Sequence, residues 1–187
     1  TIHGSNTDSF GFIEALRADV RGFDARKGPA VVLGAGGSAR AVVQALIEAG
    51  AAEIRLVNRT PERAERLAGA LGGPIRRIAW AEAEGALSGA ALLVNTTMLG
   101  MKGQPPLEID LAALPKHAAV NDIVYVPLET PLLRAARARG NSCVDGLGML
   151  LHQARAGFKA WFGRDPEVTA ALRRHVAADL IAEMERA

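Results

Sequence analysis

Two spacings of apolar residues alternate along this chain. Short apolar runs fall at 30–34 (AVVLG), 53–58 (EIRLVN), 74–79 (PIRRIA), 90–95 (AALLVN), 118–124 (AAVNDIV) and 141–145 (NSCVD). Their length and bounding polar clusters predict strands, and amphipathic helical patterns lie between most of them. Two helix starts are marked in the same way. Thr60 stands at an N-cap position with Pro61 as the first helical residue, and Thr130 and Pro131 repeat the device before a stop at Gly140. Further helical patterns flank this core at 6–19, 148–163 and 165–187, the last with Asp165 as its expected cap and Pro166 next. Strand and helix in alternation imply parallel pairing through right-handed crossovers. The expected architecture is α/β: a doubly wound, mostly parallel sheet of about six strands, with flanking helices at both chain ends. One unit is expected over 1–187, with an N-terminal linking helix at about 6–20 and C-terminal helices at about 148–187.

Composition narrows the classes. Hydrophobic residues make up 49% of the 187, enough for one good core. The 22 basic residues exceed the 20 acidic ones only slightly and are dispersed without aromatic interleaving, so a nucleic-acid partner is not expected. Cys143 is the single cysteine, which excludes an intrachain disulfide, and its apolar neighbours suggest a small buried side chain. The histidines at 3, 117, 152 and 175 are too scattered to suggest a metal site. No window approaches the ~18 uninterrupted apolar residues of a membrane span, and no signal-peptide pattern is visible, so a cytoplasmic place is the expectation.

The run VVLGAGGSA fits the turn G-x-G-x-x-G/A, with Gly34, Gly36 and Ala39 in its three positions and Gly37 as an extra small residue. Gly34 allows the tight turn, Gly36 opens the backbone to a pyrophosphate, and Ala39 keeps the helix close to its strand. The helix N-terminus then offers free N–H groups to the anion. The turn lies after a predicted strand and opens a predicted helix, which supplies the context of a dinucleotide-binding, Rossmann-like unit. NAD binders place an acid at the end of the next strand, where it accepts the ribose hydroxyls. Here that place holds Asn58 and Arg59, with Thr60 next and Arg63 one helical turn on. A carboxylate would repel a 2′-phosphate, whereas a guanidinium pairs with one, so NADP(H) is expected rather than NAD(H).

Four further stretches are GSNTD (4–8), NTTMLGM (95–101), DIVYVPLETPLL (122–133) and DGLGMLLHQA (145–154). Together with GAGGSARA and NRT, in this order and spacing, they closely resemble the shikimate dehydrogenase family over essentially the whole chain. The resemblance implies an enzyme that reduces 3-dehydroshikimate to shikimate with NADPH, on the route to aromatic amino acids. It implies that Asp8 is the catalytic acid/base partner. It assigns Gly34, Ala35, Gly36, Gly37 and Ser38 to the pyrophosphate, and Asn58, Arg59, Thr60 and Arg63 to the 2′-phosphoadenosine. Thr96, at the end of its strand, Ile123 and Gly146 would complete the cofactor site, the last two against the nicotinamide half. Tyr125 and Gln153 would contact substrate. Asp8 also suits a plainer role at a helix N-terminus.

The family's catalytic lysine belongs to an N-terminal substrate domain that the resemblance places before Thr1, roughly one hundred residues of a typical member. Lys27 and Lys116 precede strands, Lys159 lies along a helix, and Lys102 sits among KGQPP, which reads as a solvated loop. The expectation is a half-molecule that binds NADP(H) yet is inactive or nearly so by itself. Apolar faces on the first helix (Phe10, Phe12, Ile13, Leu16) and the last (Val176, Leu180, Ile181, Met184) would then stand exposed and favour self-association. Two alternatives stay open: a quinate/shikimate dehydrogenase paralogue, and a nucleotide-binding module without catalysis.

Overall fold

The structure is a computed structural model, and it describes residues 4–186, with side-chain surroundings as far as residue 181. Six parallel strands form one sheet: β1 (Ala30–Leu33), β2 (Ile54–Asn58), β3 (Ile75–Ala79), β4 (Leu92–Asn95), β5 (Ala119–Asp122) and β6 (Ser142–Val144). Their order is β3-β2-β1-β4-β5-β6, so the chain runs outward from β1 in one direction, then returns and runs outward in the other. The reversal between β1 and β4 leaves a crevice at the carboxyl edge, the place where ligands bind in such sheets.

Burial follows strand position. Every residue of β1, β4 and β5 is buried, as parallel strands covered on both faces require, while edge strand β3 exposes Arg76 and Arg77. Helices α1 (Asp8–Asp19), α2 (Gly37–Glu48) and α5 (Gly146–Phe162) belong to one face, where Phe12, Leu16, Val42 and Leu46 pack on Val32, Leu56 and Val94. On the other face α4 (Pro131–Ala138) and the long β4–β5 connection pack Leu107, Leu114 and Leu133 against Val31, Leu93 and Val120. Helix α3 (Pro61–Leu71) follows β2 as expected, and α6 (Ala170–Arg186) ends the chain.

Three expectations need correcting. The last helix starts at Ala170, not at 165: Thr169 Oγ1 accepts the Leu172 N–H at 3.1 Å, while Asp165 is drawn to Arg155 at 3.1 Å. The first helix does not leave its apolar face exposed. Phe12, Ile13 and Leu16 are buried in the core, and only Phe10 stays open. On the last helix Ile181 is exposed and Val176 and Leu180 are half-buried, while the Met184 side chain lies outside the described residues. Cys143 is half-buried rather than fully enclosed, and burial pushes its thiol pKa up.

Candidate active site

Glycines set the site's geometry where backbones approach. Gly34 has φ +106°, and a Cβ there would stand 2.7 Å from Thr96 Oγ1, so the turn closes directly on the end of β4. Thr96 is held in place by donating from both its N–H and its hydroxyl to the Leu33 carbonyl, at 2.9 and 2.7 Å. Gly36 caps α2 without a side chain, and a Cβ on Gly36 or Gly37 would meet nothing within 4 Å. The backbone of the turn is therefore open on its outer side, with the first N–H groups of α2 unclaimed by a cap. This fits a pyrophosphate, whose oxygens need N–H donors and a close approach to main chain.

A second close approach brings α5 onto β5. A Cβ on Gly146 would fall 2.0 Å from the Ile123 carbonyl oxygen, so this position tolerates no side chain and Gly146 sits directly beside Ile123. A third joins α1 to α5. A Cβ on Gly11 would lie 2.6 Å from the Met149 carbonyl oxygen and 2.7 Å from Gln153 Cβ, and one on Gly148 would lie 3.1 Å from Ala15 Cβ. Small residues at the crossing let the helices touch, and so carry Asp8, at the start of α1, to the same opening as Gln153.

That opening is a cleft of about 480 Å³ at the carboxyl edge of the sheet. Among its lining residues are Asp8, Ser38, Thr96, Ile123, Tyr125, Gly146 and Gln153, which the sequence also singled out. Asp8 is the first residue of α1, and its N–H donates to Asn6 Oδ1 at 2.8 Å. Tyr125 is 39% exposed, its ring at the surface of the cleft. Apolar lining comes from Met98, Met101, Val124, Met149 and Leu150, which lie in the stretches that carry the resemblance but were given no role there.

Lys102 lines the cleft as well. Residues 102–106 are exposed, as expected of a solvated loop, and the Lys102 N–H donates to the Val126 carbonyl at 2.9 Å, which ties this loop to the segment bearing Tyr125. The tie runs between residues 24 apart, so no local pattern could reveal it.

The remaining predicted residues stand apart from the cleft, beyond β2. Asn58 is half-buried and its Nδ2 donates to the Thr60 carbonyl at 2.8 Å, fixing the strand-to-helix turn. Thr60 occupies the N-cap position of α3, but its side chain makes no capping hydrogen bond. Arg59 and Arg63 are exposed. This end offers positive charge on a surface turn, and the glycine turn lies between it and the cleft.

Beneath the cleft is a buried polar cluster. Asp122 is fully buried, and its carboxylate accepts from Asn95 Nδ2 at 3.0 Å, Val124 N–H at 3.1 Å and Thr130 Oγ1 at 2.7 Å. Burial pushes its pKa up to about 6, against the pull of those three hydrogen bonds.

Sheet order, glycine turn and edge cleft define a dinucleotide-binding α/β protein. Comparison with known proteins refines that class. Residues 18–102 match the family described as shikimate/quinate 5-dehydrogenase, and residues 146–174 match the shikimate 5′-dehydrogenase C-terminal domain. The shikimate dehydrogenase (NADP(+)) of Paramagnetospirillum magneticum is 60% identical over 176 residues, which cover 94% of this chain and 64% of that protein. Among solved structures, Thermus thermophilus shikimate 5-dehydrogenase in complex with NADP(H) and shikimate superposes with a TM-score of 0.78 at 40% identity, over 95% of this chain and 63% of that one. Quinate dehydrogenase from Corynebacterium glutamicum in complex with NAD gives 0.85 at 32% identity, covering 94% and 63%. The chain belongs to the shikimate dehydrogenase family, and it spans 64% of the length of the first curated relatives it matches.

Proposed function

We propose that this chain is the cofactor-binding part of an NADP-dependent shikimate dehydrogenase, which reduces 3-dehydroshikimate to shikimate. One observation carries the reading: the helix crossing at Gly11 and the contact of Gly146 with Ile123 gather an acid, a phenol and a carboxamide around one cleft beside an open glycine turn. Gly34 to Ser38 hold the pyrophosphate through main-chain N–H groups, and Arg59 and Arg63 pair with the 2′-phosphate. Thr96, Ile123 and Gly146 line the nicotinamide half. When bound, reduced nicotinamide supplies a hydride for the substrate carbonyl carbon. Reduction leaves negative charge on the carbonyl oxygen, and Asp8 takes part in delivering the proton it needs, in concert with the lysine that the family places in its substrate domain. Tyr125 and Gln153 hydrogen-bond the polar groups of the substrate ring and orient it.

The test is a titration of the chain with NADPH and NADH. NADPH should bind at least tenfold more tightly, and equal affinities would overturn the NADP assignment. These 187 residues alone should oxidise shikimate negligibly. If they do so readily, and Lys102→Ala abolishes it, the proton transfer belongs to Lys102 instead. A quinate-oxidising reading is favoured by the likeness to the quinate enzyme, and turnover of quinate over shikimate by a form joined to a substrate domain would select it. Phe158, Trp161 and Phe162 are exposed at the end of α5, with Trp161 at 81%. They form the face we assign to association with the substrate domain or a second copy. Concentration-independent monomer scattering would count against the second copy.

A further inference from the structure

The polar cluster beneath the cleft takes no part in the roles given to Asp8, Tyr125 and Gln153, yet both walls of the cleft hang from it. Asn95, which ends β4, donates through Nδ2 to Asp122 and also to the Leu99 carbonyl at 3.1 Å. Its Oδ1 accepts the Thr97 N–H at 3.0 Å and the Thr97 hydroxyl at 2.7 Å, and Thr97 Oγ1 in turn accepts the Leu99 N–H at 3.1 Å. Those bonds shape the loop that carries Met98, Met101 and Lys102 into the cleft. On the other side Asp122 accepts the Val124 N–H and the Thr130 hydroxyl, and Thr130 Oγ1 accepts the Leu133 N–H at 3.3 Å to cap α4. Between those two anchors runs the segment bearing Ile123, Tyr125 and Val126.

We propose that Asp122 is a positioning residue for the cofactor: by joining Asn95 to Thr130 it fixes the distance between the 96–102 loop and the 123–126 segment, the two walls around the nicotinamide half. The proposal rests on the cofactor reading above. Its physical ground is cost. The partners of Asp122 are an amide, a hydroxyl and a main-chain N–H, all uncharged, so the carboxylate is buried without an ion pair. Packing alone would be served by an apolar residue without that desolvation penalty. What an apolar residue could not do is accept from three donors, one at the end of β4, one just after β5 and one at the N-cap of α4. Losing those bonds strands the donors inside the protein and frees both loops to shift.

The test compares two ligands: NADPH, and 2′-phosphoadenosine 5′-diphosphoribose, which is the same molecule without its nicotinamide ring. Wild-type chain should prefer NADPH. In Asp122→Ala that preference should fall about tenfold while affinity for the ring-less ligand stays within twofold, because the glycine turn and Arg59 are untouched. Thr130→Val, a milder change, should show the same pattern in smaller degree, and Thr130→Ser, which keeps the hydroxyl, should restore it. Unchanged preference in both Asp122→Ala and Thr130→Val would overturn the proposal. So would parallel loss of both ligands in both variants, which would mark a general folding role. A wild-type chain without preference shows that the ring does not lie between these walls, and this too overturns it. Binding of neither ligand to wild type would instead refute the cofactor reading, and the positioning role with it.

Discussion

The two ends of the proposed cofactor site are built on opposite plans. At the cleft, shape is imposed by contact: three glycine approaches leave no room for a methyl, and a chain of hydrogen bonds from Thr97 to Thr130 fixes the loops. At the β2–α3 end, Arg59 and Arg63 are exposed and Thr60 makes no capping bond. The reacting ring needs its neighbours placed to a fraction of an ångström, and packing provides that. A dianionic phosphate needs only charge within reach, and flexible guanidinium groups provide that. On the proposed reading, precision and reach are thus assigned to different ends of one ligand.

Four experiments would break or sharpen this contrast. The largest effect should come from Gly146→Ala, where overpacking against the Ile123 carbonyl should cost about 3 kcal/mol or more in urea unfolding; an unchanged midpoint would show that the cleft is not held by contact. Next is the pH dependence of Asp122. Its pKa rises from 3.8 to about 6 on folding, so the native state binds more protons between those values and stability falls as pH rises through them. Relative to Asp122→Asn, wild type should gain up to about 3 kcal/mol on going from pH 7 to below pH 4; parallel profiles would show that burying the Asp122 carboxylate carries no such cost. Third, Arg59→Asp should weaken NADPH by about ten- to a hundredfold, as loss of a charge-assisted pair implies, while leaving NADH binding and stability nearly unchanged. Smallest is the paired comparison of caps. Thr130→Ala should cost about 1–2 kcal/mol, whereas Thr60→Ala should cost under about 0.5, and equal losses in denaturant titrations would erase the distinction between the two ends.

Much of the scaffold was legible because it is written locally. Strand runs at 30–34 and 90–95 and the cap pairs Thr60–Pro61 and Thr130–Pro131 announce themselves within a few residues. So does the glycine turn, and the resemblance of motifs such as NTD and DGLGML pointed to the members of the cleft. What stayed hidden depends on distance through space. Asp122 sits inside an apolar strand pattern, and nothing near it in sequence says that Asn95 and Thr130 converge on it. That the solvated loop of Lys102 borders the cleft stayed hidden because its tether, the Val126 carbonyl, is remote in sequence. The start of α6 was misread for a different reason: Asp165 carries a good cap signal, but an ion pair with Arg155 claims its side chain, and the helix waits for Thr169.

The crossing of α1 and α5 also bears on how such a protein can change. With no gap between the two helices at Gly11 and Gly148, the acid on one and the carboxamide on the other ride on a single rigid strut. Neither can be re-aimed by sliding its helix without disturbing its companion. Divergence toward a differently shaped ligand is therefore channelled into the lengths of side chains such as Met149 and Leu150, which can be trimmed or extended while the strut stays still.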